Sequence, residues 1–77
     1  MRTFVGTYKV YSKHSIDKFL KIYDTKNIKY KFIEENDYII CYLTIIANNR
    51  LGLRKYKKEG LKTIKYLGKV ELIVGVG

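Results

Sequence analysis

Residues Asp37 to Ala47, Asp-Tyr-Ile-Ile-Cys-Tyr-Leu-Thr-Ile-Ile-Ala, form the densest run of apolar and β-branched side chains in this chain. The run has the length of one strand rather than of a membrane span, and its Ile, Tyr and Thr favour a pleated surface over a helix. It predicts a central strand. A strand apolar on both faces must be covered on both, or covered on one and pressed against a partner on the other. Ile39, Cys41, Leu43 and Ile45 are expected to face helices, leaving Tyr38, Ile40, Tyr42, Thr44 and Ile46 on the opposite side.

The flanking segments supply the rest of such a sheet. From Thr3 to Tyr11, Phe4, Tyr8 and Val10 alternate with Thr7, Lys9 and Tyr11, the period of a half-buried strand. Gly6 interrupts the apolar face and is expected to mark a bulge or a close helix crossing. Ser15 reads as an N-cap, and Ile16, Phe19, Leu20 and Tyr23 follow at i, i+3, i+4 and i+7, one helical stripe. Asp17 suits the first turn and pairs with Lys21, and Asn27 is expected to close this helix in a left-handed conformation. Ile28, Tyr30 and Phe32 then alternate with Lys29 and Lys31. Glu34-Glu35-Asn36-Asp37 has turn chemistry, so a hairpin joins this strand to the central one.

Asn48-Asn49 breaks the central strand and caps a second helix that is expected to end near Gly60, as its C′ glycine. Gly52 weakens that helix, whose inward side is Leu53 and Tyr56, joined by Asn49 and Gly60. Leu61 to Leu67 reads as a strand, Gly68-Lys69 as a type II′ turn, and Val70 to Val76 as its returning partner. Glu71 is the only internal charge of that last segment, which as an edge strand is expected to pair with another copy. The resulting order is α+β: a ferredoxin-like βαββαβ sandwich, an antiparallel sheet with two helices on one face and a short extra C-terminal strand.

The short strand, the helix Ile-Asp-Lys-Phe-Leu (16–20), Asn27-Ile28 opening a basic-aromatic strand, the acidic turn, the long apolar strand and the basic Leu-Arg helix ending at Gly60 together resemble the N-terminal extramembrane segment of the sporulation protein YqfD family. The resemblance covers about residues 5–69 and implies the βαββαβ order. In that family the segment continues into transmembrane helices, whereas here Val70–Gly77 follow.

At 77 residues the chain is one basic domain, residues 1–77, near the size at which a single core is marginal and association helps. Nearly half the residues are hydrophobic and eight are tyrosine, a composition that folds. A lone Cys41 makes no internal disulfide, and one Cys with one His builds no zinc site. No apolar stretch reaches the length of a signal peptide or of a span, so the expectation is a cytoplasmic protein without a membrane span.

Charge is the main functional signal. Sixteen Lys and Arg against seven Asp and Glu give +9, a field that favours polyanions. Residues 1–47 contribute +3 and residues 48–77 contribute +6. Arg50, Arg54, Lys57 and Lys58 fall on one stripe of the second helix, with Lys55, Lys62 and Lys65 nearby, and such cations neutralise phosphates regardless of base sequence. On the open sheet face, Tyr11, Tyr38 and Tyr42 interleave with Lys9, Lys29 and Lys31, a mixture that stacks bases and holds backbone in ferredoxin-like RNA-binding domains. The basic-Gly-aromatic-Gly/Ala-Phe sequence of those domains is missing, and a dimer interface uses the same face equally well.

Catalytic chemistry is sparse. His14 has no nucleophile or metal-ligand spacing around it, Glu34, Glu35 and Asp37 have the composition of a solvated turn, and Gly68, Gly75 and Gly77 lack the Lys-Ser/Thr of a phosphate loop. Cys41 reads as a small core hydrophobe. The expectation is a non-enzymatic nucleic-acid-binding protein, without cofactor, that grips DNA or RNA phosphates through residues 50–58 and the adjacent strand as a homodimer. The alternative is a regulator or inhibitor that binds an acidic protein by strand addition or dimerisation.

Overall fold

The computed structural model describes residues 1–12 and 26–76. The expected helix from Ser15 through Tyr23, its Asp17–Lys21 pair and His14 lie outside the described residues. Within them the chain runs β1 (Arg2–Ser12), β2 (Ile28–Glu34), β3 (Ile39–Ala47), helix α1 (Arg50–Lys65) and β4 (Gly68–Val76). It is an α+β fold: a four-stranded sheet in the order β2-β3-β1-β4, every neighbouring pair antiparallel, with one helix among the described residues.

The dense apolar run is β3, and it is central, with β1 on one side and β2 on the other. Its burial alternates strictly: Ile39, Cys41, Leu43, Ile45 and Ala47 are buried and the residues between them half-buried. Phe4, Tyr8 and Val10 of β1 and Ile28 of β2 share that buried face, and Ile64 of α1 closes over it. Burying each such aliphatic side chain contributes about 1.5–3 kcal/mol. The β2–β3 hairpin forms as expected, with the Glu35 amide donating to the Tyr38 carbonyl at 2.9 Å.

Three expectations are corrected. Asn27 is not left-handed: no residue other than glycine has positive φ among the described residues, and its carbonyl instead accepts the Ile46 amide at 3.0 Å, extending the hairpin ladder. Gly6 marks neither a bulge nor a helix crossing. A β-carbon there would lie 2.5 Å from Tyr8 Cε2 and 2.9 Å from Phe4 Cε1, so two buried rings close over a bare backbone. Gly6 pairs regularly with Gly75, and the irregularity begins one residue along, where Thr7 pairs with Val74 and Tyr8 with Leu72, leaving Ile73 of β4 without a partner.

The largest correction is at the C-terminal third. The helix does not stop at Gly60 but runs to Lys65, and Leu61–Lys65 is helix rather than strand. Leu53, Gly60, Ile64 and, beyond the helix, Leu67 recur at helical spacing, and Leu61, Ile64 and Leu67 are separated by three residues rather than two. Gly60 is buried mid-helix because α1 passes close over the sheet: a β-carbon would lie 3.1 and 3.2 Å from the Leu43 δ-carbons. Ile64 and Thr63 carbonyls accept the Leu67 and Tyr66 amides in a tightened last turn. Gly68, at φ 152°, then reverses the chain directly into β4. There is accordingly no type II′ hairpin and no extra C-terminal strand; Gly68–Val76 is the fourth strand and pairs with β1.

Candidate polyanion interface

Helix α1 starts where its first donors are satisfied. Asn49 is the N-cap, its Oδ1 accepting the Gly52 amide at 2.8 Å, and a side chain at position 52 would crowd that oxygen and Ala47. Gly52 thus belongs to the cap. At the other end Lys62 and Lys65 occupy the last turn, where the helix dipole favours cations.

At 100° per residue the inward face of α1 is Leu53, Gly60 and Ile64, flanked by half-buried Tyr56 and Leu61. The opposite face carries Arg54, Lys55, Lys58, Lys62 and Lys65, all exposed, around the exposed Leu51. Extension of the helix past Gly60 therefore places Lys62 and Lys65 in line with Arg54 and Lys58, instead of on a neighbouring strand. Arg54 to Lys65 spans about 16 Å of helix axis. Arg50 is exposed at the first turn.

Lys57 departs from the expected stripe. It is half-buried, and its ammonium lies 4.0 Å from the centroid of the Phe4 ring, held over the edge of the core by a cation–π contact. Glu59 is the one carboxylate of the helix, and its backbone carbonyl accepts the Thr63 hydroxyl at 2.8 Å. Among the described residues, no ion pair engages Arg50, Arg54, Lys55, Lys57, Lys58, Lys62 or Lys65; the pair present joins Lys69 to Glu71 at 3.5 Å.

The tyrosines lie elsewhere. Tyr11, Tyr38 and Tyr42 are half-buried on the sheet face opposite the helix. Tyr11 and Tyr38 meet edge to face with ring centroids 6.4 Å apart, and the Lys9 ammonium sits 4.2 Å from the Tyr38 centroid and 5.3 Å from that of Tyr11. A hydrogen bond with Tyr11 raises the Lys9 pKa, partly opposed by desolvation and aided by the charges of Tyr11, Tyr38 and Glu71. Lys9 thus covers one face of Tyr38 that a base would need. Tyr42 stands between Thr7 of β1 and Lys31 of β2. The structure brings the α1 cations together and separates them, by the thickness of the sheet, from the tyrosines.

Cys41 is fully buried opposite Tyr8, and burial pushes its thiol up to about 12, so no thiolate is available near neutral pH. A groove of about 600 Å³ opens beside the start of α1, lined in part by Lys26, Asn27, Asn49 and Tyr56. Among the described residues its lining offers hydrogen-bonding groups and the ammonium of Lys26. Among the described residues no three His, Cys, Asp or Glu side chains gather to hold a metal ion, and no helix is long and apolar enough to cross a membrane. Comparison of the chain with protein-family models, curated proteins and solved structures finds no match.

Proposed function

We propose that this chain is a non-enzymatic nucleic-acid-binding protein that grips the phosphates of DNA or RNA through the outer face of α1, acting in the cytoplasm. The frame we infer is ferredoxin-like, since the strand order and directions suit two split βαβ units, with the first helix expected from Ser15 onward. The observation that carries the reading is the row Arg54, Lys55, Lys58, Lys62 and Lys65: five exposed cations along one helix with no carboxylate partner among the described residues. A duplex carries one charge per roughly 1.7 Å of axis, so the row meets several phosphates at once. Long flexible lysines dominate it, and these hold backbone rather than read bases. Stacking on Tyr11, Tyr38 and Tyr42 belongs to a separate surface on the far side of the sheet.

Filter binding across a salt series tests this. Five phosphate contacts give a slope of about −4.5 in log affinity against log salt, roughly a 500-fold loss between 50 and 200 mM. Replacing Arg54, Lys58, Lys62 and Lys65 with Ala should weaken binding to every sequence and flatten that slope to about −1. No binding at low salt, or binding indifferent to salt, would refute the proposal. A second reading, strand addition to an acidic protein partner, draws on the exposed apolar edge of β4, and a pull-down that survives nuclease would favour it.

A further inference from the structure

We infer that two copies of this chain associate through β4, antiparallel about a two-fold axis at Val70, and so set both cationic helices on one side of a continuous sheet. The two outer strands of the described sheet are unlike. β2 carries exposed Lys29 and Lys31, the usual protection of an edge against association. β4 is an edge among the described residues with Leu72, Ile73 and Val74 consecutively exposed at 62%, 51% and 53%. Its single lysine and single glutamate face each other at 3.5 Å, which makes it a neutral strip on a chain of net charge +9. An acidic partner finds little to attract it there, whereas a second copy meets no excess of like charge.

Charge also selects the register. With Val70 opposite Val70, Lys69 of each copy faces Glu71 of the other, and Gly68 leaves room for the other copy's Leu72. Centring on Glu71 would oppose two carboxylates. Centring further on would run the ladder into the unpaired Ile73, where the strand shifts register. The favoured ladder therefore uses Gly68–Leu72, covers Leu72 and stops before the irregularity, leaving Ile73 and Val74 beyond its end. In the β1–β4 pairing, Lys69 and Glu71 lie beside Tyr11 and Lys9 on the open face, while Val70 and Leu72 lie on the helix face. A short ladder makes a small interface and a dimer of modest affinity.

The two-fold axis of such an edge-to-edge pairing is perpendicular to the sheet, so both α1 helices stand on the same side. With strands about 4.8 Å apart, β1 and its copy are separated by about 14 Å and β3 and its copy by about 24 Å. Helix α1 contacts β3, β1 and β4, so both rows of cations stand over the joined sheet. That the doubled row serves one polyanion rests on the function proposed above; the dimer itself does not.

Sedimentation of the full chain over a concentration series is the test. The wild type should pass from monomer to dimer with concentration. Glu71→Lys should stay monomeric, and the exchange Lys69→Glu with Glu71→Lys should restore the dimer, because the cross-copy pairs return with signs reversed. Val70→Cys should cross-link to itself under mild oxidation, independently of any charge change, with buried Cys41 inert. A wild type monomeric at every concentration, a Glu71→Lys variant that dimerises as well as wild type, or a Val70→Cys variant that does not cross-link overturns the dimer. Oligonucleotide binding measured alongside separates the two proposals: a monomer that binds sinks the dimer alone, and a dimer that does not bind sinks the function alone.

Discussion

Gly60→Ala tests whether α1 runs unbroken over the sheet, the condition that aligns its cations. In a helix interior alanine gains about 1 kcal/mol over glycine. Here the added carbon meets Leu43 Cδ1 at 3.1 Å, Cδ2 at 3.2 Å and Ile28 Cγ2 at 3.4 Å, and overpacking a tight core costs about 1–3 kcal/mol. The net effect in the wild type is between neutral and a loss of about 2 kcal/mol. Leu43→Val deletes both δ-carbons. In that background the helix gain survives without the clash, and Gly60→Ala should stabilise by about 1 kcal/mol. The cycle thus predicts a coupling of about 1–3 kcal/mol, as expected for residues in contact. Urea denaturation of the four proteins followed by far-UV circular dichroism measures it, and each kcal/mol corresponds to about 4–8 °C in Tm. Were Gly60 instead a left-handed helix terminus, alanine would be strained equally in both backgrounds. An additive cycle therefore refutes the continuous helix.

Neighbouring lysines of α1 should separate by role: Lys57→Ala, which removes the cation over Phe4, should cost about 0.5–1 kcal/mol of stability in denaturation and leave the salt slope nearly unchanged, whereas Lys58→Ala should leave stability unchanged and reduce the slope by about 1. Gly68→Ala should destabilise by about 1–3 kcal/mol, read by thermal melting, because φ 152° is strained for any residue with a β-carbon. Cys41 adds a pH dependence. Its folded thiol titrates at about 12 against 9.0 in the ordinary state, so the folded chain keeps a proton that the unfolded chain loses. That stability is fully present below pH 9 and falls by up to about 1.4 kcal/mol per pH unit as pH rises towards 12, a slope that Cys41→Ala should lessen in denaturation curves taken at increasing pH.

The sheet was legible in the sequence because its strands are governed by period-two patterning. β3 alternates buried and half-buried along its whole length, and the Phe4-Tyr8-Val10 and Ile28-Tyr30-Phe32 faces follow from side-chain parity alone. The C-terminal third was misread because two local signals outweighed a longer one. Gly60 has the propensity of a terminator, and Thr63, Ile64 and Tyr66 suit a strand, yet the spacing of Leu53, Gly60, Ile64 and Leu67 is helical. What overrides the glycine is tertiary: Leu43 leaves no room for a side chain there. Gly6 was misread for a related reason, since rings from two residues on either side of it, rather than another element, fill the space.

The candidate site was legible as a charge imbalance and only partly as a shape. That residues 48–77 concentrate cations is a matter of counting, but which of them face outward depends on where α1 ends. Lys62 and Lys65 belong to the row because the helix runs to Lys65, and Lys57 does not because its position lies close enough to the core for the ammonium to settle on Phe4. The capture of Tyr38 by Lys9 across two strands depends on register and was beyond reach of local patterning.

The most direct test of where phosphates are held is a titration of isotopically labelled protein with a short oligonucleotide, followed residue by residue by nuclear magnetic resonance. Shifts concentrated on Arg54, Lys55, Lys58, Lys62 and Lys65, diminishing as salt is added, are the predicted result. Shifts centred on Tyr11, Tyr38 and Tyr42, or none anywhere at low salt, would contradict it.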